Sequence, residues 1–325
     1  MKRKIIKYCK LFISVLILVI IFNRLNINFG KAVSCIKKPC FLWMAILIPF
    51  SLTPLFSVNR WKLFLRMVGI NEKFFSLLKI NFISMFEGMI LPSTQGSDLL
   101  RIYHIEAKYP QHRGKAGSTV LIERIFGLIL LLLFSTAAIS FAMESSDVKS
   151  AALMIGLVAS ATFIGLLVLY VPWIYNLYSR ITTKYKFLNS VIAYCGKFHH
   201  SLHTFPYSKV WFSSIIFISG FQLSTILSVH LLFLACGQDI PFLTNLALYP
   251  IISILSLLPI TIGGFGVREG FFVYFYSKLG VQPEISVMVS IMNYCILQLL
   301  PAVVGGVLWY IELMKNDRKG TQTNE

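Results

Sequence analysis

LPSTQGSDLLR at residues 91–101 and LPITIGGFGVR at residues 258–268 decide how this sequence is read. Leu91 aligns with Leu258, Pro92 with Pro259, Thr94 with Thr261, Gly96 with Gly263 and Arg101 with Arg268, at the constant offset 258 − 91 = 167. Each stretch closes an apolar segment, at about 74–91 and 242–261. Proline lacks an N–H and clashes with the preceding turn, so Pro92 and Pro259 are expected to stop their helices. Gly96, Gly263, Gly264 and Gly266 then permit backbone that other residues resist. At membrane depth such backbone must be buried in protein or line water, because lipid cannot satisfy its polar groups.

Outward from these two breaks the chain is apolar from end to end. Of its 325 residues 56% are hydrophobic and 13% charged, against about 25% charged in ordinary soluble domains. Apolar segments fall at about 8–23, 40–57, 74–91, 118–142, 150–171, 210–236, 242–261, 266–281 and 285–312. A helix needs about 20 such residues to cross a bilayer core. The 30 Lys and Arg exceed the 13 Asp and Glu, for a net charge of +17. The cations sit mainly in short connections, which reads as membrane topology and argues against a nucleic-acid partner. The first ten residues are basic and lead into an apolar run with no small-residue cleavage site, so they read as a retained signal anchor.

Orientation follows from the connections. The acidic link with Glu144 and Asp147, and the link near Asp239, are expected outside. The basic links 58–73, 92–117 and 172–209, the N-terminus and the tail are expected inside. The link 23–39 is basic and departs from that rule. With 58–73 and 92–117 on one side, the segment between them must enter the membrane and return. Residues 242–281 must do the same from the opposite face. Shifting 40–57 by 167 gives 207–224, and shifting 118–142 gives 285–309, so the flanking helices keep the offset. The expected fold is all-α: a polytopic cell-membrane protein with about eight membrane segments plus broken, re-entrant helices in an inverted-topology repeat. Residues 1–142 form the first repeat and 143–312 the second, with its breaks at 258–270 and its basic cytoplasmic connection at 172–209; 313–325 form a short cytoplasmic tail.

Arg101 and Arg268 follow the two breaks at the same spacing. An arginine at a helix centre costs about 2.5–3.5 kcal/mol on insertion scales, so each needs a partner or a wet cavity. Guanidinium matches phosphate through two parallel hydrogen bonds. Asp98 and Glu269 stand beside the two arginines as neutralising partners. Glu87, interrupting 74–91, and the pair Glu123 and Arg124, opening 118–142, complete the candidate substrate-binding set; an interfacial ion pair is the plain alternative for the last two. Lys79 and Glu87 would share a helix face with Ile83. Asn293 and Gln298 read as hydrogen-bond glue between helices. The six cysteines show no metal spacing, although Cys35 and Cys40 are close enough for a bridge. His199, His200 and His203 lack companion ligands and read as a headgroup-facing stretch. No cofactor or metal is expected, and no nucleotide-binding or hydrolase motif occurs.

The order LPSTQGSDLLR, ERIFGLILLLL (123–133), LPITIGGFGVREG (258–270) resembles the transmembrane region of the lysylphosphatidylglycerol synthetase/flippase family, over about residues 8–312. GGFGVREG carries the resemblance most specifically; Gly96-Ser97-Asp98 stands where the family usually has Gly-Gly-Asp. The resemblance implies translocation of an aminoacylated or other anionic phospholipid, or a polyprenyl-linked lipid, between leaflets. It also implies a cytoplasmic lipid-modifying enzyme as partner. Bifunctional members carry a soluble aminoacyl-transferase domain after the membrane part, whereas here a short tail from Lys315 follows, so lysyl transfer by this chain is not expected. The competing expectation is a membrane subunit of an enzyme that transfers an aminoacyl or glycosyl group to a lipid.

Overall fold

The computed structural model describes residues 35–89, 96–142, 207–256 and 266–322. The expected segments 8–23 and 150–171, nearly all of the connection 172–209, Pro92, Pro259, Gly263, Gly264 and the three histidines lie outside the described residues.

Every regular element among the described residues is helical. In the first half, α1 (Pro39–Leu47) passes through a 3₁₀ turn (Ile48–Phe50) into α2 (Leu52–Met67). Then come α3 (Phe74–Gly88), α4 (Gly96–Lys108) and α5 (Lys115–Ala142). In the second half, α6 (Tyr207–Ala235) is followed by α7 (Phe242–Leu255) and α8 (Val267–Ser277). The last crossing is α9 (Pro283–Tyr294), a π-helical turn (Cys295–Leu299) and α10 (Leu300–Gln322). Pro301 sits two residues past the π-helical stretch, and its missing N–H and ring bulk account for the disturbed ladder.

Four stretches are long and apolar enough to cross a membrane: Pro39–Met67, Lys115–Ala138, Phe212–Ala235 and Pro283–Met314. Between them α3, α4, α7 and α8 have 15, 13, 14 and 11 residues, each short of the roughly 20 that a crossing requires. Trp43, Phe75, Leu133, Phe212 and Tyr310 are exposed large apolar side chains, the surface a bilayer would cover.

The helices repeat at a fixed interval. Their starts differ by 207 − 39, 242 − 74 and 283 − 115, each 168, one residue more than the offset of the two motifs. Packing follows the same relation. The arm α3 lies against α10, and its counterpart α7 lies against α5; α2 and α6, also counterparts, pack on each other. Each half thus lends its short arm to the last crossing of the other.

Two departures from the sequence reading matter for the site. The connection 58–73 is largely helix, because α2 continues to Met67, and 96–108 within the connection 92–117 is the helix α4. Arg60, counted above among cations of a connection, is therefore a buried residue of a membrane helix. Its neighbour Trp61 is fully buried with Val58, Leu65, Ile70, Leu77, Ile105, Ala116 and Val120, the core of the first half. Cys35 and Cys40 are not joined in a disulfide, and Gln298 is exposed, so it does not act as glue. Asn293 does, donating from Nδ2 to the Tyr249 hydroxyl at 3.3 Å.

The second-half core carries its own buried polar tie. The Tyr276 hydroxyl donates to Asn245 Oδ1 at 2.8 Å, and both residues are fully buried. Tyr276→Phe leaves that acceptor unsatisfied and is expected to cost about 1–3 kcal/mol. A lower thermal unfolding midpoint in detergent, with unchanged elution on size exclusion, is the check.

Candidate functional site

The first site is assembled from three helices. Asp98 stands in the first turn of α4, where the exposed N–H groups of a helix favour negative charge. One turn on, Arg101 reaches back to it, Nη2 donating to Asp98 Oδ1 at 2.7 Å. Asp98 Oδ2 accepts from Arg124 Nε of α5, also at 2.7 Å. Glu123, the residue before Arg124, points about 100° away from it around α5. It pairs with Arg60 of α2 and lies 3.7 Å from Arg101 Nη2. Glu123 and Arg124 are thus not paired with each other; each joins a different member of the site.

Burial is near complete. The side chains of Arg60, Arg101 and Glu123 expose 6%, 6% and 1%, whereas that of Arg124 exposes 46%. Aromatic faces support two of the cations: Arg101 lies 4.9 Å over the Trp61 ring and Arg60 4.7 Å over Phe221 of α6. Such contacts strengthen once water is removed. Even so, Nε of Arg60, Nε of Arg101 and Oε2 of Glu123 have no hydrogen-bond partner among the described residues.

The second site has a different construction. Gly266 adopts φ +83°, a conformation that side-chain-bearing residues rarely take, and caps α8. Its N–H donates to Glu269 Oε2 at 2.6 Å. Glu269 Oε1 accepts from Arg268 Nη2 at 2.6 Å and from the Ser290 hydroxyl at 3.0 Å. Arg268 Nε also donates to Ser290 Oγ at 3.0 Å, and its guanidinium lies 4.8 Å over the Tyr294 ring. The two sites are related by the motif offset. Arg101 faces Glu123 as Arg268 faces Ser290, and 290 − 123 equals 268 − 101, that is 167. The named partners of Arg101 come from α2, α4 and α5, and those of Arg268 from α8 and α9.

Glu87 belongs to neither cluster. Its carboxylate lies 2.6 Å from His104 Nε2 and ties α3 to α4 across the first break. Lys79 pairs instead with Glu312 of α10, so Lys79 and Glu87 serve different neighbours. Gly96 is the first residue of α4 and is buried. Among the described residues no group of three His, Cys, Asp or Glu is placed to hold a metal ion.

Sequence reading missed Arg60, Trp61, His104, Ser290 and Tyr294. Ser290 had a signal, since adding 167 to Glu123 lands on it. Arg60 and Trp61 had none, because they sit beyond the apolar run that marked the second segment.

Fold and site together define an all-helical, multi-pass integral membrane protein with a charged cluster buried between its crossings. The chain belongs to the family described as "Lysylphosphatidylglycerol synthase TM region", whose model matches residues 8–305. It is 23% identical to a UPF0104 membrane protein of Methanocaldococcus jannaschii, over 98% of this chain and 99% of that protein. It is 24% identical to a UPF0104 membrane protein of Methanothermobacter thermautotrophicus, over 81% and 83% of the two chains. A UPF0104 membrane protein of Pyrococcus horikoshii is 22% identical, over 82% and 86%. No solved structure matches the chain.

Proposed function

We propose that this protein moves a phospholipid between membrane leaflets without an energy source of its own. The cargo is an anionic or aminoacylated phospholipid, or a polyprenyl-linked lipid, whose phosphate meets the buried arginines while its tails stay in the bilayer. In this reading the two halves form an inverted-topology repeat with both chain ends on the cytoplasmic side. Family membership supports the lipid, because the family is named for a lysyl-phospholipid synthase. The observation that carries the reading is the pair of arginines, each following a break at the same spacing. Each also faces a residue of the next crossing at the motif offset, Arg101 facing Glu123 and Arg268 facing Ser290. A merely structural arginine has no reason to recur with its target across 167 residues. Chains with inverted repeats and interrupted helices place substrate at such breaks.

The test is lipid translocation in proteoliposomes carrying a fluorescent phosphatidylglycerol, read by its accessibility to a membrane-impermeant quencher. Arg101→Ala combined with Arg268→Ala is expected to slow translocation by about tenfold or more, since two charge-assisted phosphate contacts go. A double variant as fast as the natural protein rules the mechanism out.

A further inference from the structure

The helices that follow the two breaks are each anchored near their far end by a tyrosine. Tyr109 comes just after α4 and Tyr276 lies in the last turn of α8, and 276 − 109 is again 167. The Tyr109 hydroxyl donates to Glu72 Oε1 at 2.9 Å, and Lys108 pairs with the same carboxylate. A carboxylate held by a lysine keeps its charge near neutral pH. That carboxylate also recurs, because 239 − 72 is 167 and residue 239 is Asp239. Tyr276 nevertheless has a different acceptor. Its hydroxyl donates to Asn245 Oδ1 of α7 at 2.8 Å, and Asn245 Nδ2 meets Nδ1 of His230 of α6 at 3.2 Å. The second anchor is therefore a chain across three helices that ends on an imidazole, the side chain whose charge changes between about pH 5 and 8.

We propose that His230, Asn245 and Tyr276 form a proton-sensitive latch on the far end of α8, the helix that carries Arg268 in its first turn. Asn245 and Tyr276 are fully buried, Tyr276 against the rings of Phe233 and Phe272, whereas His230 is half-buried with its ring edge-on to Phe242. Because the tyrosine takes Asn245 Oδ1, the amide turns its Nδ2 to His230, and Nδ1 must be the unprotonated nitrogen of a neutral ring. A proton added at Nδ1 sets two donors against each other. The amide can answer by turning over, so that Oδ1 accepts from Nδ1–H and Nδ2 points at the Tyr276 oxygen. The Tyr276 O–H then loses the acceptor it meets among the described residues, inside an apolar core. Leaving a buried donor without a partner is costly, so the acid form of His230 favours release of Tyr276 and of the end of α8. Among the described residues the titratable groups that face the chain are Asp239, in the link between α6 and α7, which acts on His230, and Tyr249 of α7, which acts on Tyr276. The inference rests on the transport reading above only for the consequence of release: the helix that holds the second arginine loses its fixed position.

The experiment is hydrogen–deuterium exchange of the purified full chain in a neutral detergent at about pH 7.5 and about pH 5.5, on either side of the ordinary imidazole value. It is read on peptides covering Val267–Ser277, after correction for the intrinsic pH dependence of amide exchange. In the natural protein these amides are expected to exchange about fivefold or more faster on the acid side, because the end of α8 opens locally. His230→Gln keeps an acceptor for Asn245 Nδ2 and cannot take a proton, so its two corrected rates are expected to agree within about twofold. Tyr276→Phe removes the anchoring hydroxyl, and α8 is expected to exchange fast at both pH values. A natural protein without the acid response, or His230→Gln with the same response, overturns the latch. Slow exchange of α8 in Tyr276→Phe overturns the anchor. Lipid translocation in proteoliposomes at the same two pH values separates this inference from the broader one. The natural protein is expected to slow about threefold or more on the acid side, and His230→Gln to change by less than about twofold. Exchange that responds to acid while translocation does not overturns the control of transport. A natural protein that moves no lipid at either pH loses the transport reading, and the exchange pattern still decides the latch.

Discussion

Glu123→Ala is expected to destabilise the protein more than any other single substitution in the charged cluster. Glu123 is the carboxylate shared by Arg60 and Arg101, and its side chain is 1% exposed. Alanine removes the partner and leaves both guanidinium groups buried, with Asp98 alone to serve Arg101. Three guanidinium groups then face one carboxylate instead of two. Breaking a buried pair by deleting one side costs about 3–5 kcal/mol, mostly the penalty of the charge left behind. Asp98→Ala removes the same number of charges, but one of its partners, Arg124, is half-exposed and can turn to solvent. The expected order of unfolding midpoints in detergent is therefore natural protein, then Asp98→Ala, then Glu123→Ala lowest. Replacing Arg60 by Leu along with Glu123→Ala restores the balance at one surplus charge, and should recover part of the loss. If Glu123→Ala melts with the natural protein, the cluster is not the tightly coupled, desolvated unit described above.

The class of fold was legible in the sequence because bilayer thickness imposes its own length scale, and runs such as 118–142 have no other reading. The 167-residue offset was legible because Leu, Pro, Thr, Gly and Arg recur in the same order and spacing in the two stretches, without a gap. Arg101 and Arg268 stood out for the same reason: a charge beside a break in an apolar chain demands an account. Arg60 did not, since it lies among Lys62, Arg66 and Lys73, a composition that marks a cytoplasmic link. Its burial depends on Glu123, which is 63 residues away, and on Phe221, 161 residues away. No local pattern encodes either contact. The identity of the Glu123 and Arg124 partners was hidden in the same way. Adjacent residues on a helix point about 100° apart, so a neighbouring Glu-Arg pair reads as an ion pair until the third and fourth helices are placed. The pair Arg268–Glu269 is the reverse case. Its members are adjacent, and the capping of Gly266 by Glu269 three residues on is a local motif.

Gly305→Val is expected to abolish the assembled fold, and Gly305→Ala to weaken it severely. A Cβ at Gly305 of α10 would fall 2.5 Å from the carbonyl carbon of Phe82 and closer still to its oxygen. Those are backbone atoms of α3, so no side-chain rotation relieves the overlap; the two helices must separate. Small residues that let backbones touch are a chief source of adhesion between membrane helices, where hydrophobic burial gives no drive. Overpacking commonly costs about 1–3 kcal/mol when side chains can shift, and here the obstacle is main chain. The same seam carries the Lys79–Glu312 pair and the Phe86–Trp309 ring contact, at 5.8 Å between centroids, which a displaced α3 would forfeit together. The adjacent Gly306→Ala is the control. The three atoms nearest its Cβ would all belong to the Phe86 ring, from 3.0 Å, and the ring can yield by a small rotation. Size exclusion and thermal unfolding of the three variants should rank Gly306→Ala nearest the natural protein, then Gly305→Ala, with Gly305→Val aggregated or not recovered. Gly305→Val purifying as a monodisperse protein with unchanged stability would separate α3 from α10. With that contact would go the exchange of short arms between the halves.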